Sequence, residues 1–215
     1  MVTPPLWICK VVIPPDDREF SIDIRRNFLD KKWFYDIEIN NSRMVIQRRT
    51  SEDVDFYRNW ADYKSGFGNL MGNFWIGNDI LHILTNSPRI LRVELEAWDG
   101  TKGYAQYSEF QVANEALNYR LSVQGFSGNV SYDVFGSHNG YAFTTFNRDN
   151  DIKEDENCAL QYRGGWWYYN CFQCNPNGLY MTYSVGGDIK AMSWGYFPDA
   201  MSIVTPLKAT KMIIR

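Results

Sequence analysis

The sequence predicts an α+β fold in which an antiparallel sheet carries short helices and long loops. Residues 91–99, 104–112 and 119–125 alternate apolar and polar side chains, as strands with one buried and one wet face do. A short amphipathic segment precedes these strands, and a loop-dominated stretch follows Gly125. Aromatic residues make up 16% of the 215 residues, which suits both an antiparallel sheet and a recognition surface.

Two short helices are predicted before the alternating strands. Residues 55–64 place aromatic side chains at i, i+4 and i+7, with Asp53 or Asp55 as the N-cap. Residues 78–84 form the second helix, with Asn78 as its candidate cap.

The remaining predicted strands flank this central region. Asp99-Gly100 supplies a hairpin turn between the first two alternating segments. The other expected strands are 33–39, 44–47 and 208–214.

Composition and motifs exclude several classes of function. A formal net charge of −3 and a pI near 5.4 argue against a nucleic-acid partner, which would need excess Lys and Arg. No apolar run approaches the roughly 20 residues of a membrane helix. Phosphate-binding, zinc-protease and nucleophile-elbow motifs are missing, so we do not expect an enzyme.

The cysteines favour a local disulfide over a metal site. Of the four, Cys158, Cys171 and Cys174 cluster, whereas Cys9 is distant. Cys171 and Cys174 form a lone C-x-x-C pair, and the chain has only two His, so a four-ligand zinc site is poorly supported. A disulfide between Cys158 and Cys171 is the better interpretation.

Residues 147–151 (NRDND) place oxygen-bearing side chains at every second position. Such a loop suits a hard cation such as Ca²⁺, and a polar turn without an ion explains it equally well. An EF-hand is excluded, because Ile152 and Cys158 stand where its glycine and glutamate are required.

Two tripeptides, Asn40-Asn41-Ser42 and Asn129-Val130-Ser131, fit the N-glycosylation pattern. The pattern is short and also arises often by chance.

Several longer segments are more specific. They are 54–85, 91–128, 139–180, which contains FTTFNRDND, ENCALQYRGGWWYYNC and NPNGLY, and the tail 207–215 (LKATKMIIR). Together they closely resemble the fibrinogen C-terminal domain family, which includes ficolins, angiopoietins, tachylectins and tenascins. The resemblance covers 44–215, and 1–43 forms an atypical N-terminal segment.

The resemblance implies a twisted antiparallel sheet, short helices and a loop-rich distal subdomain that binds Ca²⁺. Asp149 and Asp151 fall on the family's side-chain ligands. Backbone carbonyls would come from 153–156, here assigned to Lys153 and Asp155.

The resemblance also implies a ligand pocket beside the cation. Cys158 and Cys171 fall on the family's disulfide, and the bond preceding Cys171 is cis in the family. Phe172 replaces the His of members that bind acetylated sugars. The expected pocket residues are Tyr162, Cys171, Phe172, Tyr183 and Phe197.

From this resemblance we expect a secreted, lectin-like recognition module of the innate-recognition type, which binds acetylated or patterned glycans. The alternative is a protein-binding, matrix-adhesion or receptor-ligand domain, which Phe172 favours. Expected partners are glycans or extracellular and cell-surface proteins. A homo-oligomer is also expected, because family members offset weak single sites by avidity. No signal peptide is evident in the first residues.

Overall fold

The computed structural model describes residues 23–27, 32–36, 43–182 and 189–215. The chain divides into two units, Met1–Met44 with Arg215 and Val45–Ile214. In the first unit, strands β1 (Asp23–Asn27) and β2 (Lys32–Asp36) pair antiparallel. The predicted boundary after residue 43 stays a prediction.

Among the described residues, seven strands form one sheet in the order β4-β5-β3-β11-β6-β7-β8. The adjacent β11-β6-β7-β8 pairs are antiparallel, which confirms the predicted α+β class. The strands of this sheet are β3 (Met44–Arg49), β4 (Phe67–Gly68), β5 (Phe74–Trp75), β6 (Arg89–Ala97), β7 (Lys102–Val112), β8 (Leu121–Gly128) and β11 (Leu207–Ile214). A separate pair is formed by β9 (Cys174–Asn175) and β10 (Ser193–Trp194).

The strand predictions hold to within a few residues at each end, except that 37–39 of the predicted strand 33–39 lie outside the described residues. Alternation is strict in β6, where Leu91, Val93 and Leu95 are buried and the intervening charged residues lie on the outer face. Five strands, β1, β4, β5, β9 and β10, were not predicted. Four of them have only two residues, and the fifth, β1 (DIRRN), does not alternate apolar and polar side chains.

The helices are α1 (Trp60–Ser65), α2 (Asn78–Leu84) and α3 (Cys158–Tyr162), with 3-10 turns at Glu115–Leu117 and Gly136–His138. The predicted start of α1 is wrong. Asp55 accepts a hydrogen bond from the Tyr57 N–H at 2.8 Å in a local turn, so the helix begins only after Asn59, whose side chain accepts from the Asp62 N–H at 2.9 Å.

The predicted cap of α2 is also wrong. Asn78 is the first helical residue, and Gly77 is the N-cap with a φ of 105°. The Asn78 side chain instead accepts a hydrogen bond from the Trp75 indole N–H at 3.0 Å. A local contact with the indole three residues earlier therefore uses the oxygen that a cap would need.

Aromatic side chains dominate the core beneath the sheet. Trp75, Phe143 and Trp167 lie in contact, with ring centroids 5.2 to 6.2 Å apart. No helix among the described residues has the length and apolar character needed to cross a membrane. This core supports the loops that follow β8, where the candidate site lies.

Candidate functional site

The acidic turn at 149–151 brings its two carboxylates together. Asp149 accepts a hydrogen bond from the Asp151 N–H at 3.2 Å. Asp151 accepts from the backbone N–H of Lys153 at 3.0 Å and of Cys158 at 2.9 Å. Burial and the nearby Asp149 carboxylate raise the pKa of Asp151 to about 6, although the two backbone donors oppose the shift. A bound cation would relieve this repulsion.

The side chains of Lys153 and Asp155, the two residues predicted to supply carbonyl ligands, differ in whether they have partners. The Lys153 ammonium donates to Gln161 Oε1 at 2.9 Å and pairs with Glu156. Asp155 is exposed, has a left-handed φ of 65°, and its carboxylate makes no hydrogen bond or ion pair to any described residue. Lys153 is therefore restricted to its carbonyl as a ligand.

Other oxygens of the 147–151 loop have different partners. The Asn147 side chain accepts from the Trp60 N–H at 2.9 Å, and Asn150 donates to the Phe143 carbonyl at 2.7 Å. The described residues contain no group of three or more His, Cys, Asp or Glu placed to hold a metal. The donor set fits Ca²⁺ only as two carboxylates completed by carbonyls and water.

A disulfide joins α3, which follows this turn, to the next loop. Cys158 and Cys171 are bonded, with Cα atoms 5.6 Å apart, so the predicted bridge is present. Asn157 caps α3 by accepting from the Leu160 N–H at 2.9 Å. The Ile152 N–H donates to the Tyr169 carbonyl at 3.2 Å. The residues that follow the acidic turn, Ile152 and Cys158, are therefore joined to the 169–171 segment by a backbone hydrogen bond and by the disulfide.

Three of the predicted pocket residues, Tyr162, Cys171 and Phe172, lie together. The Tyr162 and Phe172 rings meet edge to face at 4.8 Å, and Tyr168 lies 6.2 Å from Phe172. The bond between Asn170 and Cys171 is cis, as the resemblance implies. Tyr162 is buried, whereas Cys171 and Phe172 are half-buried, so Phe172 presents part of an apolar surface.

The remaining predicted pocket residues are not joined to this cluster. The Phe197 ring packs over Gly103 of β7, and a methyl group placed on Gly103 would lie 2.5 Å from it. Phe197 is also only 7% exposed, which is typical of a core residue. Tyr183 lies outside the described residues. Pocket roles for both stay predictions.

His138 organises the loop and was missed by the sequence analysis. Its Nδ1–H donates to the Trp167 carbonyl at 2.8 Å, and its Nε2 accepts from the Gln173 and Cys174 N–H groups at 3.2 and 3.3 Å. Burial lowers the pKa of His138 to about 4, which keeps the ring neutral. One imidazole thus joins both ends of the 167–174 segment. No local pattern marks it, because its partners lie 29 to 36 positions away.

A second set of contacts holds the acidic turn against α1. Arg148 lies over the Trp60 ring at 4.0 Å and 3.6 Å from the Glu115 carboxylate. The Trp60 indole N–H also donates to Glu115 at 2.8 Å. These contacts anchor Arg148, the residue directly before Asp149, against α1.

The chain is similar in sequence to a known protein family and to several of its members. The family model described as the C-terminal globular domain of fibrinogen beta and gamma chains matches residues 18–215. Human angiopoietin-related protein 7 is 43% identical over 169 residues, covering 78% of this chain and 46% of the relative. Human fibroleukin is 36% identical over 214 residues, covering 94% of this chain and 47% of the relative. The chain thus spans about half the length of these relatives.

Solved structures agree with the fold. The fibrinogen-like globe domain of human ANGPTL2 matches with a TM-score of 0.78 and 34% identity, covering 91% of this chain and 92% of that chain. Lamprey fibrin D-dimer, solved with the peptide ligand Gly-His-Arg-Pro-amide, matches with a TM-score of 0.74 and 30% identity, covering 94% of this chain and 69% of that chain.

Proposed function

The chain belongs to the fibrinogen C-terminal domain family, and from that premise we propose that it is an extracellular recognition domain for a protein or peptide partner. Members of this family are binding modules, which supports recognition rather than catalysis. The angiopoietin-related and fibroleukin relatives favour a protein-binding role over the lectin-like role that the sequence analysis put first. The lamprey relative binds a short peptide, which supports the same class of partner.

The observation that carries the proposal is the apolar surface at Phe172. Its half-buried ring rests on Tyr162 and contributes no hydrogen-bond donor or acceptor. Sugar hydroxyls are recognised through hydrogen-bond donors and acceptors. The core of a protein interface is recognised largely through apolar contact, which the Phe172 ring can supply. Replacing imidazole by phenyl at this position therefore favours a protein anchor.

Calcium is proposed as the structural ion of this site. Asp149 and Asp151 would contribute carboxylates, and Lys153 and Asp155 would contribute backbone carbonyls. When bound, the ion supplies positive charge that offsets the repulsion between the two carboxylates. The chain's own contribution is to hold Asp151 in place through the N–H groups of Lys153 and Cys158.

The experiment compares cell-surface binding after selective removal of each partner class. The full chain is added to cultured animal cells treated either with trypsin or with glycosidases, in Ca²⁺ and in EDTA. We expect binding to be lost after trypsin and retained after glycosidases. Loss only after glycosidases, or retention on an array of acetylated glycans, would support the lectin-like function instead.

Variants identify the surface involved. Phe172→Ala is expected to weaken binding at least tenfold, whereas Met71→Ala, which changes another exposed apolar side chain, should not. Near-ultraviolet circular dichroism of both variants checks that the fold is retained. Equal binding by Phe172→Ala and the parent chain would contradict this proposal.

Self-association belongs to the same proposal. Linked copies would raise the avidity of a weak single site. Analytical ultracentrifugation of the full chain measures its oligomeric state directly.

A further inference from the structure

One tripeptide pattern from the sequence, Asn129-Val130-Ser131, is not used by the recognition site. Asn129 lies in a bend directly after β8 and is exposed, as is Ser131. Val130 between them is only 8% exposed and anchors the bend in the core. The pattern therefore lies on the surface, outside any strand or helix, where glycosylated asparagines are found.

The orientation of the Asn129 carboxamide is set by β7. Its Oδ1 accepts the Tyr104 N–H at 2.7 Å, and its own backbone N–H donates to the Tyr104 carbonyl at 3.1 Å. Because the amide oxygen must face a donor, the nitrogen Nδ2 occupies the other branch of the planar group. Within the described part of the chain, Nδ2 has no hydrogen-bond partner.

We propose that Asn129 is an N-glycosylation site. The modification joins Nδ2 to C1 of a sugar, breaks the bond from that C1 to the pyrophosphate of a lipid-linked oligosaccharide donor, and releases the amide proton with the lipid pyrophosphate. The carbonyl oxygen is not consumed, so the bond from the Tyr104 N–H is retained in the product. Local structure thus tolerates the modification. The inference rests on the proposed extracellular role, which routes the chain through the secretory pathway.

The glycan would leave the protein at the outer face of the sheet. Asn129 lines a groove of about 500 Å³ on that face, together with Arg92, Lys102 and Tyr104. Arg92 is held against the Tyr104 ring at 3.7 Å. A carbohydrate chain at this rim would shield the groove, so the outer face becomes unavailable to a large partner. Protein recognition is then left to other surfaces, including that around Phe172.

The test uses the full chain, expressed behind a secretion signal in cultured animal cells. The secreted protein is treated with peptide-N-glycosidase F in ¹⁸O-water, digested with trypsin, and sequenced by mass spectrometry. Cleavage after Arg120 and Arg148 isolates Asn129 from the second sequon at Asn40. We expect ¹⁸O-labelled Asp at residue 129. A sample without the glycosidase controls for spontaneous deamidation at Asn139-Gly140.

Matched variants separate the sequon from the fold. Ser131→Ala should abolish the label and Ser131→Thr should retain it, since both leave Asn129 and its Tyr104 bonds in place. Secreted, folded protein with unmodified Asn129 would overturn this inference even if the protein binds cells. Conversely, labelled protein that binds no trypsin-sensitive partner would contradict the proposed function and leave the glycosylation site intact.

Discussion

The Asp151 carboxylate accepts a hydrogen bond from the Cys158 N–H at 2.9 Å, so the acidic turn is bonded to the first residue of α3. Cys158 is also half of the disulfide to Cys171, which immediately precedes Phe172. The proposed cation site and the apolar surface at Phe172 are therefore connected through one residue. A change at either is expected to alter the other.

The two aspartates have separable roles. Asp149→Ala should abolish Ca²⁺ binding while leaving the free energy of unfolding in EDTA nearly unchanged, because Asp149 is exposed. Asp151→Ala should also cost about 2–3 kcal/mol in EDTA, since two backbone donors lose their acceptor. Calorimetric Ca²⁺ titration and urea unfolding measure the two effects. Equal free energies of unfolding in EDTA for the two variants would contradict these separate roles.

The disulfide is expected to stabilise the distal loops. It joins positions separated by 13 residues, for which the loop-closure estimate is about 3 kcal/mol. The Cys158→Ser, Cys171→Ser double variant should lose that amount and bind Ca²⁺ more weakly, because α3 is no longer linked to the 169–171 segment. Urea unfolding with and without reductant provides the measurement. Cys174→Ser serves as the control, since that thiol is free.

His138 should make the fold sensitive to mild acid. Its folded pKa of about 4 lies below the ordinary value of 6.5, so the unfolded chain binds the extra proton between these values. The stability that the neutral, buried imidazole contributes is fully present above pH 6.5 and is lost as the pH falls toward 4. The loss from this group is about 2 kcal/mol between pH 6.5 and 5.

The check is urea unfolding of the parent chain and of His138→Gln at pH 7, 6 and 5. Groups common to both proteins cancel in the difference. The variant should be less stable at pH 7, because Gln cannot replace all three hydrogen bonds, but its stability should change less with pH. Parallel pH profiles would refute a role for this imidazole.

The packing of Phe197 can be tested through Gly103. A Cβ at this position would lie 2.5 Å from the Phe197 ring, so Gly103→Ala should destabilise the domain by roughly 1–3 kcal/mol. Adding Phe197→Leu should recover part of the loss, because a smaller side chain leaves room for the new methyl group. Thermal unfolding of the single and double variants measures this recovery. If the destabilisations of the two single variants simply add in the double variant, the Phe197 ring does not pack against Gly103.

Prediction from sequence succeeded where a pattern is local. Alternation identified β6 and β7, and the clustering of Cys158 and Cys171, together with the family resemblance, identified the bridge. It failed at the caps of α1 and α2, where several Asp and Asn side chains compete for nearby N–H groups. Nothing in the sequence distinguishes the side chain that caps a helix from one that closes a turn.

The sequence alone determined the longer strands of the sheet, the bridge and the membership of a recognition family, since periodicity and motif patterns are properties of neighbouring residues. Only the tertiary structure decided that the Asn147 oxygen serves the Trp60 N–H, 87 positions away, instead of a cation. It likewise decided that His138 joins the two ends of the 167–174 segment. A buried polar group takes whichever partner the packed core brings within reach, and that choice depends on contacts between distant parts of the chain.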